Sequence, residues 1–427
     1  MRANLVWAFI ERLAPRGATG LLLIVFAAVS SPTAVGYYAA AMTAFMVLQA
    51  VTNGSAEQIA TAAVTTEPGM RFLTRYKAWY MFAGCTWMAA VVVGIRLVGA
   101  PWLDTLSLLP LIPAPIVMAS YLIPLARVQR AGQWRDLSLI SATSSAIALC
   151  LTLPLVLVFH SALGSTLQLA LTELLFAIRV RRKALAAPKV LEPAPAGVSP
   201  KYASTFWGMS AFVLGLQGQY QLDRVFVGAL GGTATLGLFS FGWSLSRSIT
   251  DSLQYGTLNV LRAKIVDGTT KTDAEIKDLT LAAVLRSTRL AAITVILVFA
   301  AARLVGPRIL NSEWDGMLQI APLMSITGLP AVCCYCLLPA LMYYRRMRFA
   351  TGARIPGLML AFGIGWASSH SLGTAVLFAL VRELVAMAVM AVGARRVTSW
   401  RMILLPLAWT AGLWGAVALA DALLFAS

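Results

Sequence analysis

A chain of 427 residues in which 59% are hydrophobic and 12% charged, with a mean hydropathy of +0.78, is excluded from the water-soluble domains, where charged residues make up about 25%. The net charge of +17 does not mark a nucleic-acid binder, because no stretch is long and polar enough to fold as a soluble module with a basic face. The composition is that of a polytopic membrane protein, and most of the charge reads as topology.

Thirteen apolar runs of about 20 residues could each span roughly 30 Å of hydrocarbon. They lie at 4–28, 34–60, 76–98, 104–126, 137–159, 163–183, 203–230, 234–261, 282–305, 317–342, 349–368, 372–394 and 402–424. The first carries Glu11, Arg12 and Arg16 ahead of Leu21 to Val29, so it reads as a retained helix rather than a cleaved signal. Pro15 and Gly17 should loosen it locally. A polar Ser30-Ser31-Pro32-Thr33 turn follows, then Gly36. The stretch Ala184 to Pro200, ALAAPKVLEPAPAGVSP, has the Pro/Ala composition of a linker.

The segment from Gln217 to Arg247 then holds two apolar runs around a Gly231-Gly232-Thr233 break, and Gly237 matches Gly36. It predicts a transmembrane hairpin carrying Asp223, Arg224 and Arg247. Val266 to Asp278 is polar and mixed in charge, as expected of a solvated extension. Cys333, Cys334 and Cys336 sit in an apolar run without metal-ligand spacing and, like Cys85 and Cys150, should pack as small hydrophobes. Trp102, Trp207, Trp314 and Trp400 lie near helix ends and are expected to be interfacial anchors.

Loop charges give an independent check. With a cytoplasmic N-terminus, every inner loop is basic, from Arg71, Arg75 and Lys77 through Arg179, Arg181, Arg182 and Lys183 to Arg395, Arg396 and Arg401. The outer loops offer only Arg96, Arg303 and Arg308, and shifting the helix count by one would invert the pattern. An odd number of spans places the C-terminus outside.

Short segments recur in order. Arg96-Leu97-Val98-Gly99 returns as Arg303-Leu304-Val305-Gly306, and Tyr121-Leu122-Ile123-Pro124-Leu125 is echoed by Cys336-Leu337-Leu338-Pro339-Ala340. His160-Ser161 and His370-Ser371 each precede a Leu-Gly-(Ser/Thr) helix start. Offsets of about 200 to 215 residues argue for duplication of a six-helix unit, giving parallel repeats about an axis along the membrane normal with a cavity between them. The expected fold is therefore an all-α polytopic membrane protein of about thirteen transmembrane helices in two pseudo-twofold-related lobes, 1–183 and 201–396. A cytoplasmic linker (184–200) joins the lobes and an additional helix (397–427) follows them.

Depth along each run places Arg16, Glu173, Arg247 and Arg382 near the midplane, Glu11, Arg12 and Glu57 in the inner half, and Asp223 and Arg224 in the outer half. Facing lipid would cost each charge several kcal/mol, so these groups should face one another or water. Arg12 and Arg16, and Arg247 and Asp251, are four apart and share helix faces. The repeat brings Glu173 and Arg382 to equivalent positions. Glu11, Glu57, Asp251 and Glu383 read first as ion pairs that fix helix register. The five arginines Arg12, Arg16, Arg224, Arg247 and Arg382 suit an anion-binding cavity, because guanidinium presents planar donors and stays protonated when desolvated. Gln49, Asn53, Gln217, Tyr220 and Gln254 would suit sugar hydroxyls or simple helix packing.

On Gln221-Leu222-Asp223-Arg224 with its Gly-rich turn and Leu236-Gly237-Leu238-Phe239-Ser240, and on Leu304-Val305-Gly306 leading to Glu313-Trp314, the chain resembles Wzx-type polysaccharide flippases of the multidrug/oligosaccharidyl-lipid/polysaccharide exporter superfamily. The likeness is one of pattern and covers about residues 1 to 396; the thirteenth helix departs from the commonest twelve or fourteen. It implies a non-enzymatic transporter of the bacterial inner membrane, acting as a monomer by alternating access and moving a polyprenyl-diphosphate-linked oligosaccharide to the outer leaflet. No cofactor is implied. A proton or sodium gradient, or the membrane potential, would supply energy, and polysaccharide polymerase machinery would be a partner. Arg16 and Arg247 are then expected to hold the diphosphate, with Asp223 restoring the charge balance of Arg224. A multidrug exporter is the runner-up reading, and a polyprenyl-dependent membrane enzyme is a third.

Overall fold

In a computed structural model of the protein, residues 2–186, 202–265 and 272–425 are described. Most of the linker and of the polar extension lies outside them, as do the side chains of Glu11, Arg12, Asn53 and Gln217. Among the described residues there is helix and no strand. Each of the thirteen apolar runs is helical, and ten segments are long and apolar enough to cross a membrane. The described residues divide into two compact units, Met1–Gln221 and Leu222–Ser427.

The first unit is built from α1 (Arg2–Val29), α2 (Pro32–Val51), α3 (Glu57–Ala63), α4 (Glu67–Leu97), α5 (Trp102–Ser107), α6 (Ala114–Arg130), α7 (Trp134–Phe159) and α8 (Leu163–Leu185), with the start of α9. Helix α1 continues past Pro15, so the expected loosening does not break it. Its principal neighbour is α7, whose buried stripe is made of small residues: Ser138, Ser141, Ser144, Ser145, Ala148 and Thr152. Lipid tails are as apolar as leucine, so helices in a membrane associate through close backbone approach and polar bonds, which small residues permit. The hydroxyl of Ser138 donates across that seam to the carbonyl of Trp7. Between α2 and α3 the helix carries a π turn, Thr52–Ala56. Helix α4 begins where Thr66 Oγ1 accepts the Gly69 N–H at 3.2 Å, with Pro68 in the first turn.

Helix α9 (Tyr202–Ile265) is two arms joined at Gly232, whose φ of 85° and ψ of 170° are not helical. That left-handed φ is open to glycine at no steric cost, which is why the Gly231-Gly232 pair marks the predicted turn. The second unit contains most of α9 with α10 (Asp273–Ala300), α11 (Gly306–Ile309), α12 (Asp315–Ile326), α13 (Gly328–Tyr343), α14 (Met347–Gly352), α15 (Ile355–Ser368), α16 (Leu372–Gly393) and α17 (Trp400–Phe425). Helix α10 opens on a capping box between Thr272 and Glu275.

Helix α13 is the centre of the second unit, since every residue from Gly328 to Leu341 is buried. A helix apolar all round belongs in a core. Its Cys333, Cys334 and Cys336 are buried and free, packed in one cluster with Met387 and Met390 of α16 and Met402 of α17. Cys333 Sγ lies 3.3 Å from the Met402 carbonyl, so the thiols act as the small packing groups expected. Trp314 corrects an expectation. Trp102, Trp207 and Trp400 are exposed as anchors should be. Trp314 is fully buried because the turn before α12 folds its ring edge-on to Phe241, 5.0 Å away.

Candidate functional site

The densest set of buried charges lies in the second unit and starts from helix spacing. On the second arm of α9, Trp243, Arg247 and Asp251 recur every four residues and so share one face. Arg247 is 1% exposed. Its Nε lies 3.2 Å from Asp251 Oδ1, its Nη1 donates to Thr327 Oγ1 at 3.1 Å, and its guanidinium stands 5.0 Å from the Trp243 ring centre. Thr327 sits at the break between α12 and α13 and passes its own proton to the Met324 carbonyl, 2.7 Å away. The break thus presents an acceptor to Arg247. Asp251 is the open member of this pair, with 32% of its side chain exposed.

Next to it, Arg382 of α16 bridges two carboxylates. Nη1 is 2.5 Å from Asp223 Oδ2 on the first arm of α9, and Nη2 is 3.4 Å from Glu383 Oε1. All three side chains are 1% exposed, and the Arg382 guanidinium is 6.0 Å from the same Trp243 ring. Two arginines therefore flank one indole, a favourable placement for cations over an aromatic face. Asp223 Oδ1 and Glu383 Oε2 have no hydrogen-bond partner among the described residues. Arg224, beside Asp223 in the chain, and Arg354 are also buried. The cluster is thus Arg247 with the half-open Asp251 and Arg382 with the buried Asp223 and Glu383, set about one indole.

The predicted site residues of the first unit take other partners. Tyr121 Oη donates to Glu173 Oε2 at 2.8 Å. Gln129 Nε2 donates to Glu57 Oε1 at 2.6 Å. The repeat-equivalent Glu173 and Arg382 therefore sit in different environments, a tyrosine hydroxyl in one unit and two carboxylates in the other. Arg16 is exposed, and Gln49 and Tyr220 are half-buried. Gln254 is buried in the second unit with its Nε2 unpartnered among the described residues.

The structure thus brings together Asp223, Arg247, Asp251 and Arg382 from the predicted set. It adds Trp243, Thr327 and Glu383. Trp243 was within reach of sequence reasoning, because it lies one turn before Arg247. Glu383 was legible only as a register pair. Thr327 carries no signal beyond the Thr327-Gly328-Leu329-Pro330 break, and its tie to Arg247 spans 80 positions.

No protein-family model and no curated sequence matches the chain. Solved transporter structures share its fold. An inward-closed structure of the lipid II flippase MurJ superposes with a TM-score of 0.69 at 10% identity, over 98% of this chain and 99% of that one. An inward-facing multidrug resistance MATE family transporter of the MOP superfamily gives 0.65 at 11% identity, over 96% and 99%. A eukaryotic MATE transporter, AtDTX14, gives 0.57 at 16% identity, over 97% and 98%. The chain has the MATE and MurJ transporter fold.

Proposed function

We propose that the chain is a membrane transporter that moves a lipid-linked, diphosphate-bearing oligosaccharide from the inner to the outer leaflet by alternating access. The observation that carries this reading is Arg247, a buried guanidinium beside Trp243 whose carboxylate, Asp251, is the exposed member of the pair. A multidrug exporter working on cations would bind through carboxylates rather than guanidinium groups. A diphosphate gains from guanidinium donors, each hydrogen bond to a charged group contributing roughly 1.5 to 3 kcal/mol. The fold shared with a lipid II flippase agrees with a substrate of that chemistry.

Arg247 is the group placed for exchange. In the structure Asp251 holds it, and Asp251 is the most exposed carboxylate of the cluster. An arriving diphosphate would displace Asp251 from the guanidinium and leave when the carboxylate returns, so binding stays reversible. Arg382, held by two buried carboxylates, would stay in place and set the local field. Arg16, exposed in the first unit, is proposed as a diphosphate contact of that unit.

Titrating a short-chain prenyl diphosphate into purified protein, read by Trp243 fluorescence against a Trp243→Phe control, tests this. Arg247→Ala should weaken binding about 10- to 100-fold, and Asp251→Asn should tighten it because the competing charge is gone. A second reading, export of cationic drugs, is favoured by the carboxylate oxygens at Asp223 and Glu383 that are unpartnered among the described residues and by the shared fold with multidrug transporters. Binding of a cationic dye that is lost in Asp223→Asn, with no response to prenyl diphosphate, would select it.

A further inference from the structure

Outside that cluster, the basic end of the first unit, the cytoplasmic one by its loop charges, bears an open groove of about 480 Å³ lined by Ile140 of α7 and by Arg179, Arg182, Lys183 and Ala186 at the end of α8. Arg179, Arg182 and Lys183 are three and four residues apart and so share one helix face. Arg179 Nη1 donates to Thr143 Oγ1 at 2.5 Å, which fixes its guanidinium over the groove. Lys183 Nζ meets Asp136 Oδ2 at 2.7 Å. Arg182 is exposed and has no partner among the described residues. Three cations face one carboxylate, leaving a surplus of two positive charges.

What lies beyond the cations along the helices decides the ligand. Arg182 is preceded at four-residue intervals by Ile178 and Leu174, both exposed, and the facing stripe of α7 continues through exposed Ile147 and Leu151. A solvated cationic face would continue into polar residues. This one runs from guanidinium directly onto an exposed aliphatic surface of the membrane span, which is the profile of a phospholipid, anionic at the head and apolar along the chains.

The second unit carries the same arrangement independently. A groove of about 420 Å³ on α10 is lined by Ala282, Leu285, Arg286, Arg289 and Leu290, and exposed Ile293 and Leu297 follow. Among the lining residues there is no carboxylate.

From these two grooves we infer that the chain holds anionic phospholipid on its inner-leaflet rim, one lipid in each groove, with the headgroup phosphate against Arg179, Arg182 and Lys183 in the first and against Arg286 and Arg289 in the second. These lipids are structural neighbours of the protein and not its cargo. The inference therefore stands or falls apart from the proposed transport function.

Native mass spectrometry of the full chain, delipidated and titrated with phosphatidylglycerol or phosphatidylcholine, tests it. The wild type should retain two phosphatidylglycerol molecules in preference to phosphatidylcholine. Arg182→Gln should weaken one site about fivefold and Arg182→Gln/Lys183→Gln about 25-fold, at roughly a factor of five for each basic residue removed. Arg286→Gln/Arg289→Gln should weaken the other to the same degree and leave the first unchanged. Arg308→Gln, an exposed arginine outside both grooves, should change neither. Equal retention of the two lipids, unchanged binding in the groove variants, or displacement of phosphatidylglycerol by inorganic phosphate at matched concentration would overturn the assignment.

Discussion

Arg382→Ala should be among the most damaging single substitutions in the second unit. It strips the guanidinium from Asp223 and Glu383 while leaving both carboxylates buried. Breaking a buried ion pair by removing one partner costs about 3 to 5 kcal/mol, because the remaining charge is uncompensated. The geometry ranks the milder variants. Asp223 is 2.5 Å from the guanidinium and Glu383 is 3.4 Å away, so Asp223→Asn should destabilise more than Glu383→Gln. Replacing all three groups with apolar residues, as Asp223→Leu/Arg382→Met/Glu383→Leu, removes the two carboxylates that Arg382→Ala strands and should recover part of the stability, as apolar replacement of buried ion pairs often does. Denaturant unfolding of the detergent-solubilised protein, followed by tryptophan fluorescence, reads these differences, with Trp243 as a local reporter 6.0 Å from Arg382. The reasoning fails if Arg382→Ala stays within about 1 kcal/mol of wild type, or if the triple variant is no more stable than the single one.

Gly365→Ala should destabilise by about 1 to 3 kcal/mol in the same assay, since its added Cβ would lie 2.5 Å from Phe226 Cβ and 2.7 Å from the Phe226 carbonyl carbon, backbone that cannot swing aside. Gly232→Ala should cost about 1 kcal/mol through its left-handed φ alone, since a Cβ there would meet open space; a change of helix content in circular dichroism would contradict that local origin. Tyr121→Phe should cost about 1 to 3 kcal/mol by leaving Glu173 Oε2 without its donor, and Glu173→Gln in that background should restore most of the loss. Arg247→Lys should retain part of the prenyl diphosphate affinity through charge, while losing the contact geometry that joins Asp251 and Thr327.

The fold was legible because the membrane imposes it. Apolar runs of spanning length locate helices without any tertiary information, and Gly231-Gly232 located the kink in α9. The breaks within runs were harder to read. The π turn at Thr52–Ala56 and the α12–α13 junction at Thr327 interrupt stretches whose hydropathy is continuous, since a change of hydrogen-bond register leaves composition untouched. The charged residues were legible as a set but their partners were not. Arg247 and Asp251 follow from spacing on one helix, whereas Arg382 reaches Asp223 across 159 positions. Trp314 misled because a tryptophan at a helix end has the same sequence signature whether its ring meets lipid or, as here, Phe241.

The most direct measurement of the proposed function is translocation in proteoliposomes. A fluorescent polyprenyl-diphosphate oligosaccharide is placed in both leaflets, and a membrane-impermeant quencher reports the pool reached from outside. Wild-type protein should bring the protected half of the label into reach of the quencher, and Arg247→Ala, reconstituted in equal amount and equally folded, should leave it protected. Contradiction would be a protected fraction that stays at one half with the wild type, while the same vesicles accumulate or release a cationic dye.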